Sequence, residues 1–171
     1  DPEAVTPWTE RVQAVKAQGD TLGGVVEIRA SGVSAGLGEP VFDKLDARLA
    51  CALMGVGAVK GVEVGAGFAS ARLTGSANND PITPQGFLSN NAGGILGGMS
   101  SGQEIVVRAA VKPIPSIALP QQTISRSGQA HSITVGGRHD ICAIPRIVPV
   151  LGAMAALALA DFVLLQRRLG R

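Results

Sequence analysis

Aromatic side chains are scarce in this chain, with four Phe, one Trp and no Tyr among 171 residues. That scarcity argues against a stacking platform for bases and against a core built on rings. Cysteine is rarer still. Cys51 and Cys142 lie far apart without C-x-x-C spacing, so neither a zinc site nor a dithiol redox motif is encoded, and both are expected to be buried, reduced thiols. No metal site is expected. Charge of one sign is also lacking: 15 Lys and Arg are interspersed with 13 Asp and Glu, leaving no basic stripe for a phosphate backbone. Nucleic acid is not an expected partner. Nor is there a clean run of roughly 20 apolar residues. The most apolar stretch, Ile147 to Leu165, is interrupted by Pro149 and Asp161, and reads as a core helix with no membrane role. The opening Asp1-Pro2-Glu3 has no initiator Met, basic n-region or apolar h-region, so the expectation is a cut piece of a longer, cytoplasmic protein without a secretory signal.

Two catalytic signatures are missing as well. No G-x-S-x-G elbow occurs, and no glycine loop ends in Gly-Lys-Ser/Thr or runs from a strand into a helix as a dinucleotide fingerprint must. What is present is glycine, 23 residues of it, with an apolar share near half that supports one ordinary core domain over residues 1–171. Many glycines favour close backbone packing and close ligand approach.

Helical and strand signals are mixed. Thr6-Pro7 offers an N-cap and a first-turn proline for an amphipathic helix with Trp8, Val12 and Val15 on one face and a stop at Gly19. Leu22–Ala30 reads as a strand ending at the Ser34–Gly38 turn. Pro40 opens a second helix with Phe42, Leu45, Leu49, Leu53 and Val56 at helical spacing. Val59–Val64 is a strand that Phe68–Leu73 extends or pairs with, and Thr74–Asn91 is a long polar loop. Gln103–Val111 is a strand, Lys112–Pro120 an extended proline-broken segment, Thr123–Val135 a hairpin about Ser127-Gly128, and Arg146–Leu169 a long buried helix. Without regular βαβ alternation, these elements point to an α+β fold, an antiparallel β-sheet layered with long helices.

Three places could carry chemistry. Gly93-Gly94 and Gly97-Gly98 could turn backbone N–H groups toward an anion, or simply pack tightly. Lys112 with Ser116 sits on a rigid proline mount that could aim an ammonium and a hydroxyl at phosphate, or could be solvated. Arg138, His139 and Asp140 share one glycine-started turn, where a local Asp–Arg ion pair is the simpler reading.

Several blocks, taken in order, closely resemble chorismate synthases: Gly23-Gly24-Val25-Val26-Glu27, Gly36-Leu37-Gly38-Glu39-Pro40 with Phe42-Asp43-Lys44-Leu45-Asp46, and Lys60-Gly61-Val62-Glu63-Val64-Gly65. Asn90-Asn91-Ala92-Gly93-Gly94-Ile95-Leu96-Gly97-Gly98, Lys112-Pro113 and Gly137-Arg138-His139-Asp140 extend the match over nearly the whole chain. The resemblance implies the C-terminal part of a β-α-β sandwich that assembles as a homotetramer. It implies an anti-1,4-elimination of phosphate from 5-enolpyruvylshikimate 3-phosphate to give chorismate, with reduced FMN as cofactor and water excluded. Carried over by motif, FMN contacts fall on Gly57 and Ala58, on Gly97, on Lys112, Pro113, Ile114, Pro115 and Ser116, and on Arg138. Asp140 matches the family's aspartate proposed to assist proton movement at the flavin, and His139 is expected to be structural. Two positions depart from the family pattern. Ile114-Pro115 stands where small hydroxyl residues are usual, and Gly57 where Asn is often found. The family's two functional histidines and its arginine-rich motif belong to an upstream half that this chain does not contain. The alternative is a non-catalytic structural or oligomerising core with at most weak flavin binding.

Overall fold

The computed structural model describes residues 1–170. In chain order the elements are α1 (Pro2–Ala17), β1 (Gly24–Ala30), α2 (Leu45–Met54), β2 (Val59–Val64), a 3-10 helix (Gly67–Arg72) and α3 (Gly75–Asn78). The strands β3 (Ile82–Thr83), β4 (Gly86–Phe87), β5 (Ile95–Leu96), β6 (Met99–Ser100) and β7 (Ile105–Val111) follow. Next come β8 (Gln121–Ile124), β9 (Ala130–Ile133) and α4 (Ile144–Arg168). The chain is thus α+β with antiparallel pairing, as the sequence suggested, and it divides into two compact units.

The first unit comprises Asp1–Gly24 and Lys112–Pro145. Its α1 begins earlier than Thr6-Pro7 implied, because the Asp1 side chain accepts from the Glu3 amide and Pro2 occupies the first turn, where a missing N–H costs nothing. Pro7 therefore lies inside the helix. Of the three apolar residues expected on one inner face only Val15 is buried, and Trp8 is 68% exposed. Leu22 bridges Cys142 in parallel, its amide donating to the Ile141 carbonyl at 2.7 Å. The strands β8 and β9 form the expected hairpin, Gln121 facing Ile133 and Ile124 facing Ala130.

The second unit comprises Val25–Val111 and Arg146–Arg171. At its centre is a three-stranded sheet in the order β1-β7-β2, with β7 antiparallel to β2 and a bulge where Val59 and Gly61 face Val111 and Ala110. Alternation along β7 buries Ile105, Val107, Ala109 and Val111 and turns Val106 and Arg108 outward, the period-two pattern of a sheet with one wet face. Onto β2 packs α2, whose Leu45, Leu49 and Leu53 recur at spacing four and are completely buried.

Four expectations fail here. The second helix starts at Leu45 because Glu39 and Asp43 exchange backbone hydrogen bonds and close a turn. That turn leaves Phe42 93% exposed at its tip. Phe68–Leu73 is no strand but lies largely in the 3-10 helix, capped by the Glu63 carboxylate accepting from the Phe68 amide. Neither thiol is fully buried: Cys51 is exposed on α2, Cys142 is half-buried, and both are free. Finally, α4 is not sunk in the core. One stripe, Ile147, Leu151, Ala155 and Phe162, is buried, while Val150, Leu157 and Leu164 face outward. By length and composition this helix could cross a membrane; here its stripe is buried within the chain and the Arg48–Asp161 ion pair at 3.2 Å links it to α2 of the same unit.

Candidate functional site

The glycine-rich block resolves into two kinds of glycine. Gly93 and Gly94 both have positive φ, and their amides are consumed locally: Gly93 donates to the Asn90 carbonyl and Gly94 to the Asn90 side-chain oxygen. A Cβ on Gly93 would strike the backbone of Gly65, and one on Gly94 the backbone at Glu104. These two glycines exist to let strands approach, so the anion nest considered from sequence is not formed by their amides. Gly97 and Gly98 are the two central residues of the tight β5–β6 hairpin, with φ of +60° and +86°. Two consecutive left-handed residues give the turn whose twist suits a two-residue hairpin. Gly98 backs onto the Lys44 side chain and its carbonyl accepts from Leu45. Gly97 alone faces open space, with nothing within 4 Å of where a Cβ would stand.

Gly57 and Ala58 occupy the connection from α2 to β2 in the same unit. Gly57 is also open, while Ala58 is the one non-glycine residue with positive φ among the described residues, at +73°. A left-handed alanine costs roughly 1–2 kcal/mol, and such strain persists only where surrounding structure imposes it.

In the first unit the Lys112–Ser116 segment is mounted by two of its carbonyls. Ile114 accepts from the Thr21 hydroxyl at 2.6 Å and Pro115 from the Gln121 amide group at 3.2 Å. Lys112, Pro113 and Pro115 are exposed and Ile114 and Ser116 half-buried, so the ammonium and the hydroxyl project from a fixed backbone. Arg138 is exposed on the next turn, and the ring of His139 is spent on the Gly136 carbonyl at 3.1 Å. Asp140 is half-buried beside it in sequence. The candidate residues thus fall on both units: Gly57, Ala58 and Gly97 on the second, Lys112 through Ser116, Arg138 and Asp140 on the first.

Sequence reading missed the residues that hold these segments. Asp80, in the polar loop, accepts from the Ser89 hydroxyl and the Asn91 amide on one oxygen and from the Ala92 amide on the other, at 2.7, 2.7 and 2.8 Å. Partial burial works against its charge, but these donors prevail and hold the carboxyl below its ordinary range. Ser100, 4% exposed, donates to the Ser34 carbonyl and accepts from the Leu37 amide. The only signal of Asp80 in the sequence is its place between Asn79 and Pro81 in a loop too long to be idle. On the outer face of the sheet, an open cavity of about 390 Å³ is lined by Glu27, Arg29, Asn90, Asn91, Glu104 and Arg108. Its charges are engaged, Arg29 with Glu27 at 2.7 Å and with Glu104 at 3.3 Å, and Arg108 with Glu63 at 3.2 Å.

Comparison with known proteins bears on the same blocks. The family model described as chorismate synthase matches residues 1–164. A chorismate synthase of Maridesulfovibrio salexigens is 68% identical over 170 residues, 99% of this chain and 49% of the relative. One from Syntrophobacter fumaroxidans is 62% identical over 164 residues, 96% of this chain and 47% of the relative. A solved crystal structure of chorismate synthase superposes with a TM-score of 0.78 at 37% identity, over 96% of this chain and 44% of that one. The chain spans about half the length of the curated relatives it matches. Since the match spans the glycine hairpin, the proline mount and the Arg138 turn, this chain belongs to the chorismate synthase family.

Proposed function

We propose that this chain provides flavin-binding elements of a chorismate synthase, the lyase that forms chorismate from 5-enolpyruvylshikimate 3-phosphate by anti-1,4-elimination of phosphate. The observation that carries the proposal is the open, left-handed Gly97 on a hairpin otherwise closed by packing. The turn sets its positive φ, and with nothing within 4 Å of where a Cβ would stand its outer side leaves room for a ligand to approach the backbone. The residues suit FMN chemically. Lys112 and Arg138 offer exposed cations and Ser116 a hydroxyl for phosphate, while Gly57 and Gly97 offer backbone without obstruction and Ala58 a left-handed turn beside Gly57. When bound, reduced FMN supplies transient electron density that assists departure of phosphate.

The chain's own part is positioning. Pro113 and Pro115 restrict the path of the backbone, and Thr21 and Gln121 pin its Ile114 and Pro115 carbonyls, so that Lys112 and Ser116 branch from a fixed main chain. Asp140 is proposed to hold or move a proton near the cofactor, and Arg138 to neutralise negative charge. A homotetrameric, cytoplasmic enzyme is the assembly and location proposed with this activity. At about half the length of its relatives, the chain alone is expected to bind flavin without turning over substrate.

Titration of the chain with FMN, followed by flavin fluorescence, tests the proposal. Saturable binding is expected, weakened about tenfold or more by Lys112→Ala and by Arg138→Ala, equivalent to about 1.4 kcal/mol each. Binding unchanged in both variants would remove these residues from the site. Absence of binding by a folded wild-type chain favours the second reading, a scaffold or oligomerising core, which the packing role of Gly93 and Gly94 supports.

A further inference from the structure

The hairpin that carries Gly97 has little structure of its own: β5 and β6 are two residues each. A two-residue ladder does not hold a turn in one conformation, so whatever fixes Gly97 must lie outside it. On the exit side the fixing is done by Ser100, whose amide donates to the Leu37 carbonyl, and by Leu45, whose amide donates to Gly98. On the entry side three side chains hold the loop: Asn90 and Gln103 each reach neighbouring backbone, and Asp80 gathers the most donors. The Asp80 carboxylate receives the amides of Asn91 and Ala92 and the hydroxyl of Ser89, three donors spanning the four residues just before Gly93.

From there the order passes along the chain. The Asn91 carbonyl, in one peptide plane with the Ala92 amide that Asp80 holds, accepts from the Ala66 amide at 2.7 Å, which docks the loop on the end of β2. Asn90, between Ser89 and Asn91, donates to the Glu104 carbonyl at 2.8 Å and accepts from Gly94 at 2.7 Å. Gly93 then accepts from Val106 in β7, and Ser101 donates to Gly94. A carboxylate suits this post because it has only acceptor capacity and both oxygens are used. An amide side chain in its place would set an NH₂ against one of the backbone N–H groups.

We propose that Asp80 is a positioning residue, clamping the 89–94 loop so that the β5–β6 hairpin presents Gly97 in a single conformation for flavin. This rests on the reading of Gly97 as a flavin contact. Asp80 does not itself belong to the set of residues assigned to the cofactor, and it is separated from Gly97 by the whole length of the loop it organises.

Two measurements on the full chain test it, using Asp80→Asn, Asp80→Ala and the milder Ser89→Ala, which removes one donor of three. The first is hydrogen–deuterium exchange without flavin. Exchange over residues 89–98 should quicken about tenfold or more in both Asp80 variants and less in Ser89→Ala, while β7 keeps its wild-type protection. Unchanged exchange in 89–98, or equal loosening of β7, overturns the clamp. The second is the FMN dissociation constant, expected to rise about tenfold in Asp80→Asn and about threefold in Ser89→Ala under conditions where the variants remain folded. A folded Asp80→Asn chain with wild-type affinity overturns the positioning role. No flavin binding by the wild-type chain overturns the functional reading instead, and the exchange comparison then decides the clamp by itself. Should Asp80→Ala fail to fold, the other two variants carry both measurements.

Discussion

Two glycines of this chain make opposite demands, and the contrast can be measured. At Gly65 the backbone is left-handed, φ +57°, and an added Cβ would collide with the Asn91 carbonyl and the Gly93 nitrogen, atoms of a backbone that cannot swing aside. Gly65→Ala is therefore expected to cost roughly 2–4 kcal/mol, the sum of left-handed strain and overpacking, read as a lowered midpoint in urea denaturation. Gly57 has ordinary φ and open space around it, so Gly57→Ala should change stability by less than about 1 kcal/mol. If flavin approaches here, the same variant weakens FMN binding in a fully folded chain, which separates a binding glycine from a packing one. Equal destabilisation by the two substitutions would contradict this division. Sequence could not make the distinction, since Gly57, Gly65, Gly93 and Gly97 all look alike until the neighbouring backbone is placed.

At the scale of elements, legibility followed locality. The strand Ile105–Val111 and the helix through Leu45, Leu49 and Leu53 were visible because their periodicity is local and each buries one face, whereas Val59–Val64 was marked by its β-branched residues and the largely exposed hairpin near Ser127-Gly128 by its turn residues. What escaped was set by partners distant in sequence or by caps outside the pattern. Phe42 fits the helical spacing of α2 but is withdrawn from it by the Glu39–Asp43 turn, and Pro7 invites a helix start that the Asp1 cap takes over. The candidate site shows the same division. Its motif residues were readable as blocks, whereas Asp80, Ser100 and Thr21 act across separations of 9 to 93 residues and carry no local mark. The energetic weight of α2 lies in its leucines. Leu49 is fully buried, so Leu49→Ala is expected to destabilise by about 3 kcal/mol through lost transfer energy and the cavity left behind. On the opposite side Arg48 pairs with Asp43 at 3.3 Å and Asp161 at 3.2 Å, yet all three side chains are about half exposed. Arg48→Ala should cost less than about 1 kcal/mol, and less still in high salt. Thermal denaturation of the two variants side by side checks the ranking, and a larger loss for Arg48→Ala would mean that the α2–α4 ion pair does more than its exposure allows.

For the whole molecule, the second face of α4 is the feature left unsatisfied. Its buried stripe accounts for Ile147, Leu151, Ala155 and Phe162, but Val150, Leu157 and Leu164 stand 46%, 65% and 62% exposed at intervals of seven residues. Ala153 and Ala160, also exposed, fall between them, so the outward face reads Val150, Ala153, Leu157, Ala160, Leu164 at alternating spacings of three and four. That is the spacing of a helix-packing seam, with small residues that permit close approach. Charges on this helix sit mainly at its ends, Arg146 and Arg167-Arg168, and the one acid within it, Asp161, is engaged by Arg48. An exposed apolar seam of this length favours association over solvation. The relatives, of whose length this chain spans about half, have further polypeptide available to cover such a face. In the 171-residue chain by itself, the expected outcome is concentration-dependent self-association, seen by light scattering as a mass that rises above 17.3 kDa across the micromolar range. Leu157→Glu, placed at the centre of the seam and away from the buried stripe, should shift that mass toward the monomer without lowering stability. Leu151→Glu, on the buried side, should instead unfold the chain, because an unpaired carboxylate would enter the core. A wild-type chain that stays monomeric at every concentration would show that this face tolerates water as it stands, and that its regular spacing serves no contact.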